Sequence, residues 1–196
     1  PSAPLPEYWN HNLRCALHLN LSIAYKTIGC IFSAITHANQ YVELVTGASS
    51  RPNAEAQSHY NIGMLHEILG GYEEALKHYK KYLEFSKKSS DKKGMAQAYG
   101  CLGSVYAHLK NCSLSITYHE QHINLASKLK DPRLVSIAYE QFGDTYMTLN
   151  DPEKAVDQFT EMYKSYSKNE LKNQTTALCK LGAAYKSMGR NQYSIY

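Results

Sequence analysis

A glycine recurs at one phase through this chain. Gly63, Gly103, Gly143 and Gly182 lie 40, 40 and 39 residues apart, and each closes a similar word: Ala56–Gly63, Ala96–Gly103, Ser136–Gly143 and Thr175–Gly182. Three positions after each glycine comes His66, Tyr106, Tyr146 or Tyr185. Twelve after comes Ala75, Ser115, Ala155 or Ser194, and sixteen after come Tyr79, His119 and Phe159. An earlier copy fits at Ser22, Tyr25, Ala34 and Ala38. A fixed period of this length marks stacked supersecondary units, none of which can bury its apolar face alone. Each of the first three glycines falls inside an apolar-periodic helical pattern, where Gly costs about 1 kcal/mol relative to Ala. A cost repeated at one phase needs a common cause. The cause expected here is close approach of a paired helix through Ala75, Ser115 or Ala155, with large aromatics filling the space on either side.

Helix boundaries follow the same period. Gly70-Gly71, Asn111, Asn150-Asp151-Pro152 and Gly189-Arg190-Asn191 mark turns within pairs. Asp151 and Asp131 are N-caps, each followed by a proline suited to the first helical position. Gly47–Asn53 and Ser89–Gly94 read as loops between pairs. The spacing predicts four helical hairpins and the first helix of a fifth, with residues 191–196 entering its partner. Residues 1–11 read as an N-terminal extension. Residues 12–196 read as a single array with units of about 15–53, 56–94, 96–134, 135–173 and an incomplete 175–196.

These words resemble the tetratricopeptide repeat, whose pattern runs W-x2-L-G-x2-Y, then A-x3-F, then P. Tyr, His or Leu replaces the leading Trp, the terminal Pro is absent, and the period is longer than the usual 34. The surplus is expected in the second helix of each pair and its exit loop. The resemblance implies an all-α, right-handed solenoid of antiparallel helix pairs. Ala98–Gly103, Tyr118–Ala126 and Leu129–Asp131 are further similar to words in the long-period arrays of Pins/LGN scaffolds, which act in signalling and cell polarity. Cys101, Gln141 and Lys180 stand where those arrays carry Asn.

Composition narrows the class. With 43% hydrophobic and 19% charged residues the chain is too apolar to be disordered, and a net charge of +4 gives little support for nucleic acid. No apolar run approaches the roughly 18 residues of a membrane helix. Five dispersed cysteines (15, 30, 101, 112, 179) without a CxxC argue against a disulfide or zinc framework and for a reducing, cytoplasmic setting. They read as small buried or half-buried thiols. His119 and His122 fall one residue short of an HExxH zinc signature and occupy repeat packing phases, so they read as a packing pair. No nucleophile, phosphate-loop or paired-carboxylate motif appears. No enzyme, cofactor, metal or small-molecule substrate is expected.

The resemblance also implies where a ligand would lie. Groove-facing phases of the first helices, carried over residue by residue, include Tyr60, Met64, Glu67, Gly100, Ser104, Glu140, Asp144 and Lys186. The Lys and Asn pair of chaperone-binding members is replaced by Tyr60/Met64, Gly100/Ser104 and Glu140/Asp144, which disfavours capture of a C-terminal carboxylate. The expected function is a scaffold that holds a protein or peptide segment in this groove. The competing reading is an adaptor for nucleic acid or acidic membrane through Lys77–Lys93, where seven lysines face two acids. The C-terminal half-repeat, through Leu178, Leu181 and Tyr185, suggests self-association.

Overall fold

The structure is a computed structural model, and it describes residues 7–48, 52–166 and 170–189. Nine helices and no strand occur among them. They are α1 (Glu7–Thr27), α2 (Ile31–Ala48), α3 (Pro52–Ile68), α4 (Tyr72–Lys88), α5 (Lys92–His108), α6 (Cys112–Lys128), α7 (Pro132–Thr148), α8 (Pro152–Ser165) and α9 (Leu171–Ser187). The fold is an all-α helical repeat of solenoid type. It divides into two compact units, Pro1–Gly94 and Met95–Tyr196.

The period has a local explanation. Helices α3 to α7 each run 17 residues, and the turns that join them take three. At each turn the middle residue is left-handed: Gly70 (φ 74°), Ser90 (56°), Lys110 (60°), Lys130 (52°) and Asn150 (65°). Two backbone bonds close the helix end. Gly71 N donates to the His66 carbonyl at 2.9 Å and Gly70 N to that of Glu67 at 3.0 Å. The same two bonds recur at Ser90/Asp91, Lys110/Asn111 and Asn150/Asp151. This is the Schellman arrangement, which satisfies the last carbonyls of a helix. Three of these five positions hold Ser or Lys rather than Gly or Asn, so the flanking packing holds a conformation that L-residues resist. The surplus over 34 residues therefore lies in both helices of a pair, not in the second alone.

Other boundaries need correction. Lys92, Lys93 and Gly94 open α5 instead of ending a loop. α2 continues to Ala48 and α3 starts at Pro52, which shortens the expected Gly47–Asn53 loop. α1 starts at Glu7, inside the stretch read as an extension. Residues 191–196 lie outside the described residues. The caps stand as expected: Asp131 accepts from Arg133 N and Leu134 N, and Asp151 from Lys154 N.

In the first unit, Ala34 and Ala38 of α2 meet Ile62 and Leu65 of α3, with Tyr25, Ile31, Ile35 and Val42 alongside. In the second, Phe142, Tyr146, Ala155, Phe159, Met162, Ala177 and Ala184 form the cluster. The recurring glycines serve these cores, with a change of partner. A Cβ on Gly63 would stand 2.6 Å from the Tyr79 ring, and one on Gly103 2.6 Å from the His119 ring. On Gly143 it would enter the Phe159 ring. The close approach is thus made by the ring sixteen positions on. Ala75, Ser115 and Ala155 are fully buried, and Ser115 Oγ donates to the Gly103 carbonyl at 2.8 Å. They let the helices close, but they are not what a side chain at the glycine would strike. Gly182 is buried in α9. Tyr106 and Tyr146 are buried and Tyr185 half-buried.

Candidate functional site

The first helices place the groove-phase residues unevenly. Tyr60 on α3 is half-buried, its ring 5.3 Å from that of Tyr82 and 6.3 Å from that of Tyr79. Glu67, the penultimate residue of α3, accepts a 2.7 Å bond from the Tyr79 hydroxyl. The Met64 sulfur receives Lys26 Nζ at 3.5 Å. All three therefore have neighbours within their own unit. Gly100 is buried, and a Cβ there would collide with Gln141 and His122, so it is a packing position rather than open groove. Ser104 on α5 is half-buried, and Lys186 on α9 is exposed.

Glu140 and Asp144 are brought together, and with a partner that the groove phases did not include. Lys180 of α9 reaches Asp144 Oδ2 at 2.6 Å and Oδ1 at 2.7 Å, and Glu140 Oε1 at 3.2 Å. Its ammonium also lies 5.6 Å from the centre of the Phe159 ring. Burial alone would lower the Lys180 pKa. The hydrogen bonds and charges of Asp144 and Glu140 outweigh it and hold the pKa above the ordinary lysine value. Two carboxylates share one ammonium, so the cluster keeps one net negative charge. The sequence marks Lys180 only as a position where the long-period arrays carry Asn, at the phase of Cys101 and Gln141.

Beside this cluster the second unit has an open cleft of about 420 Å³ between α7, the end of α8 and the start of α9. Glu140 forms one wall. Ile137, Met162 and Tyr166 supply apolar lining, and Arg133, Asn173 and Thr176 polar lining. Glu140 stands at one of the expected groove phases, whereas Arg133 and Tyr166 carried no signal in the repeat pattern.

The other constellations are packing or surface. His119 and His122 are buried on α6. His119 Nε2 lies 2.8 Å from Thr145 Oγ1, and its ring stacks on Phe142 at 5.0 Å. Desolvation lowers the pKa of His119 to about 3, helped by His122, and that of His122 to about 4. No group of three or more His, Cys, Asp or Glu among the described residues could hold a metal. Lys77 pairs with Glu74 and Lys88 with Glu84, while Lys80, Lys81, Lys87 and Lys92 are exposed. Cys101 is buried and Cys15 half-buried, but Cys30, Cys112 and Cys179 are exposed, against the expectation for the thiols as a set. Cys30 and Cys112 flank turns, and Cys179 on α9 stands at the repeat phase of Tyr60, Gly100 and Glu140. No described helix is long and apolar enough to cross a membrane.

Tetratricopeptide repeat family models match residues 94–168 and 56–89, together more than half of the chain. The chain belongs to the tetratricopeptide repeat superfamily. No curated protein matches it. Among solved structures it is similar to BtubC (BKLC) from P. vanneervenii, with TM-score 0.75 and 16% identity, over 95% of this chain and 79% of that one. It is also similar to a Rap protein complexed with competence and sporulation factor, with TM-score 0.79 and 12% identity, over 93% of this chain and 51% of that one. A Rap conjugation gene regulator in complex with a Phr peptide gives 0.78 and 16%, over 94% and 51%. At these identities the likeness is one of fold. Helical repeats of this kind present extended surfaces for binding.

Proposed function

We propose that this chain is a non-enzymatic scaffold that holds a segment of another protein on the groove side of its first helices. The observation that carries the reading is the second unit's site. Glu140 and Asp144 share one ammonium and lie beside a cleft with an apolar lining. The residual negative charge favours a basic group on the partner, and the cleft suits an apolar side chain next to it. The Rap complex with a Phr peptide and the similarity of the repeat words to Pins/LGN scaffolds support a peptide ligand and a signalling or polarity role. The repeats act as one array in this reading, in the cytoplasm, and Leu178, Leu181 and Tyr185 on α9 offer a surface for self-association.

The test begins with pull-down on the immobilised chain, followed by calorimetric titration of the purified partner segment. Glu140→Gln with Asp144→Asn should weaken binding by about 1 kcal/mol or more, more so at low salt. Lys80→Ala with Lys81→Ala should change little. The exposed, unpaired Lys80, Lys81, Lys87 and Lys92 favour the second reading, an adaptor for acidic polymers or membranes. A loss confined to the lysine variant, steeply salt-dependent, would move the site to that outer face.

A further inference from the structure

Four histidines of the first unit form two facing pairs. His18 on α1 meets His37 on α2, and His59 on α3 meets His78 on α4. In each pair the two Nδ1 atoms lie 3.1 Å apart. Both pairs span 19 residues, and the second repeats the first 41 residues on. The corresponding phases of the second unit hold Tyr99 and Tyr118, whose rings meet at 6.2 Å. The next copy holds Tyr139 and Gln158, so packing at these positions does not require imidazole.

Two nitrogens facing at 3.1 Å can share one proton, one ring donating and the other accepting. The same separation is also the bite of a chelate. Two imidazole nitrogens each about 2.0–2.1 Å from one ion are about 2.8–3.4 Å apart, for angles between a right angle and the tetrahedral one. We propose that each pair is a two-nitrogen binding site for a borderline divalent transition ion such as zinc, copper or nickel, the ions that favour imidazole. In the first hairpin Gln40 Oε1 lies 3.1 Å from His37 Nδ1 and adds an oxygen donor. In the second, Phe85 stacks on His59 at 5.6 Å and His66 on His78 at 5.7 Å, which fixes both ring planes.

Neutral imidazole is the form that binds metal. Desolvation lowers the pKa of His59 and of His78 to about 4. Lys81 adds to both shifts, and Glu84 and Glu74 oppose them. Coordination through both Nδ1 atoms needs each neutral ring to carry its proton on Nε2. With no third His, Cys, Asp or Glu in place, water completes the coordination and the bound ion exchanges readily.

Zinc titrated into the purified, chelator-treated chain in a calorimeter should bind saturably, one ion for each pair. His18→Tyr with His37→Tyr, or His59→Tyr with His78→Tyr, copies the ring pair of the second unit and should remove one ion. All four substitutions should remove both, and His108→Tyr should remove neither. Copper(II) on the unmodified chain should show electron-spin-resonance splitting from two imidazole nitrogens, a readout that does not depend on any variant folding. The proposal is overturned if the unmodified chain takes up no zinc saturably, if uptake survives the fourfold substitution, or if copper shows fewer than two nitrogens.

Discussion

The buried imidazoles of α6 make stability depend on pH in a way that two substitutions should reduce. His119 and His122 have folded-state pKa values of about 3 and about 4, against an ordinary value of 6.5. A depressed value means that the fold binds the neutral ring and the unfolded chain takes up the proton first. The stabilisation is complete above pH 6.5 and falls as pH drops from there towards the folded values. In that window each pH unit costs about 1.4 kcal/mol per ring. Between pH 6.5 and about pH 5 the loss is about 2 kcal/mol per ring and about 4 kcal/mol for the two. Set against the 5–15 kcal/mol typical of a domain, that is a large share. His119→Phe with His122→Met places at these phases the residues that Phe159 and Met162 supply one unit on. The variant leaves the Thr145 hydroxyl without its ring partner, which costs a similar amount at every pH and so does not alter the slope. Urea unfolding followed by far-UV circular dichroism, from about pH 7.5 to about pH 5, gives both slopes. The double variant should lose about 4 kcal/mol less than the parent over this range. A variant with the parent's slope would refute the assignment of that loss to these two rings.

Other consequences are simpler. Because a Cβ at Gly103 already meets the His119 ring, Gly103→Ala should cost about 1–3 kcal/mol and Gly103→Leu or Gly143→Leu more, seen in thermal melts. Lys180→Ala leaves Glu140 and Asp144 without their counter-charge, yet the three side chains are partly exposed, so melts at low salt should show a loss of about 1 kcal/mol or less that shrinks as salt rises. Asp131→Ala and Asp151→Ala each remove an N-cap bond and should each cost about 1 kcal/mol in urea unfolding.

The sequence by itself determined the one-dimensional facts of this protein. The glycine period, the proline after each capping aspartate and the turn residues placed the helices and paired them, because each is a local preference repeated at fixed spacing. It also placed Glu140 and Asp144 on one face of one helix, since residues four apart must share a face. It misjudged where contacts between helices fall. The period shows which phase faces the partner helix, but not that Tyr79, His119 and Phe159, rather than Ala75, Ser115 and Ala155, press on the glycines. That depends on side-chain reach across the interface. The sequence likewise left open whether the groove acids stand alone, and the structure answers with Lys180, 36 residues from Asp144. Only tertiary structure sets that distance, and only tertiary structure turns His18 to His37 and His59 to His78. Phase fixes a side chain's direction from its own helix axis, while its partner is decided by how the neighbouring helix is stacked and by the rotamer that the shared space allows.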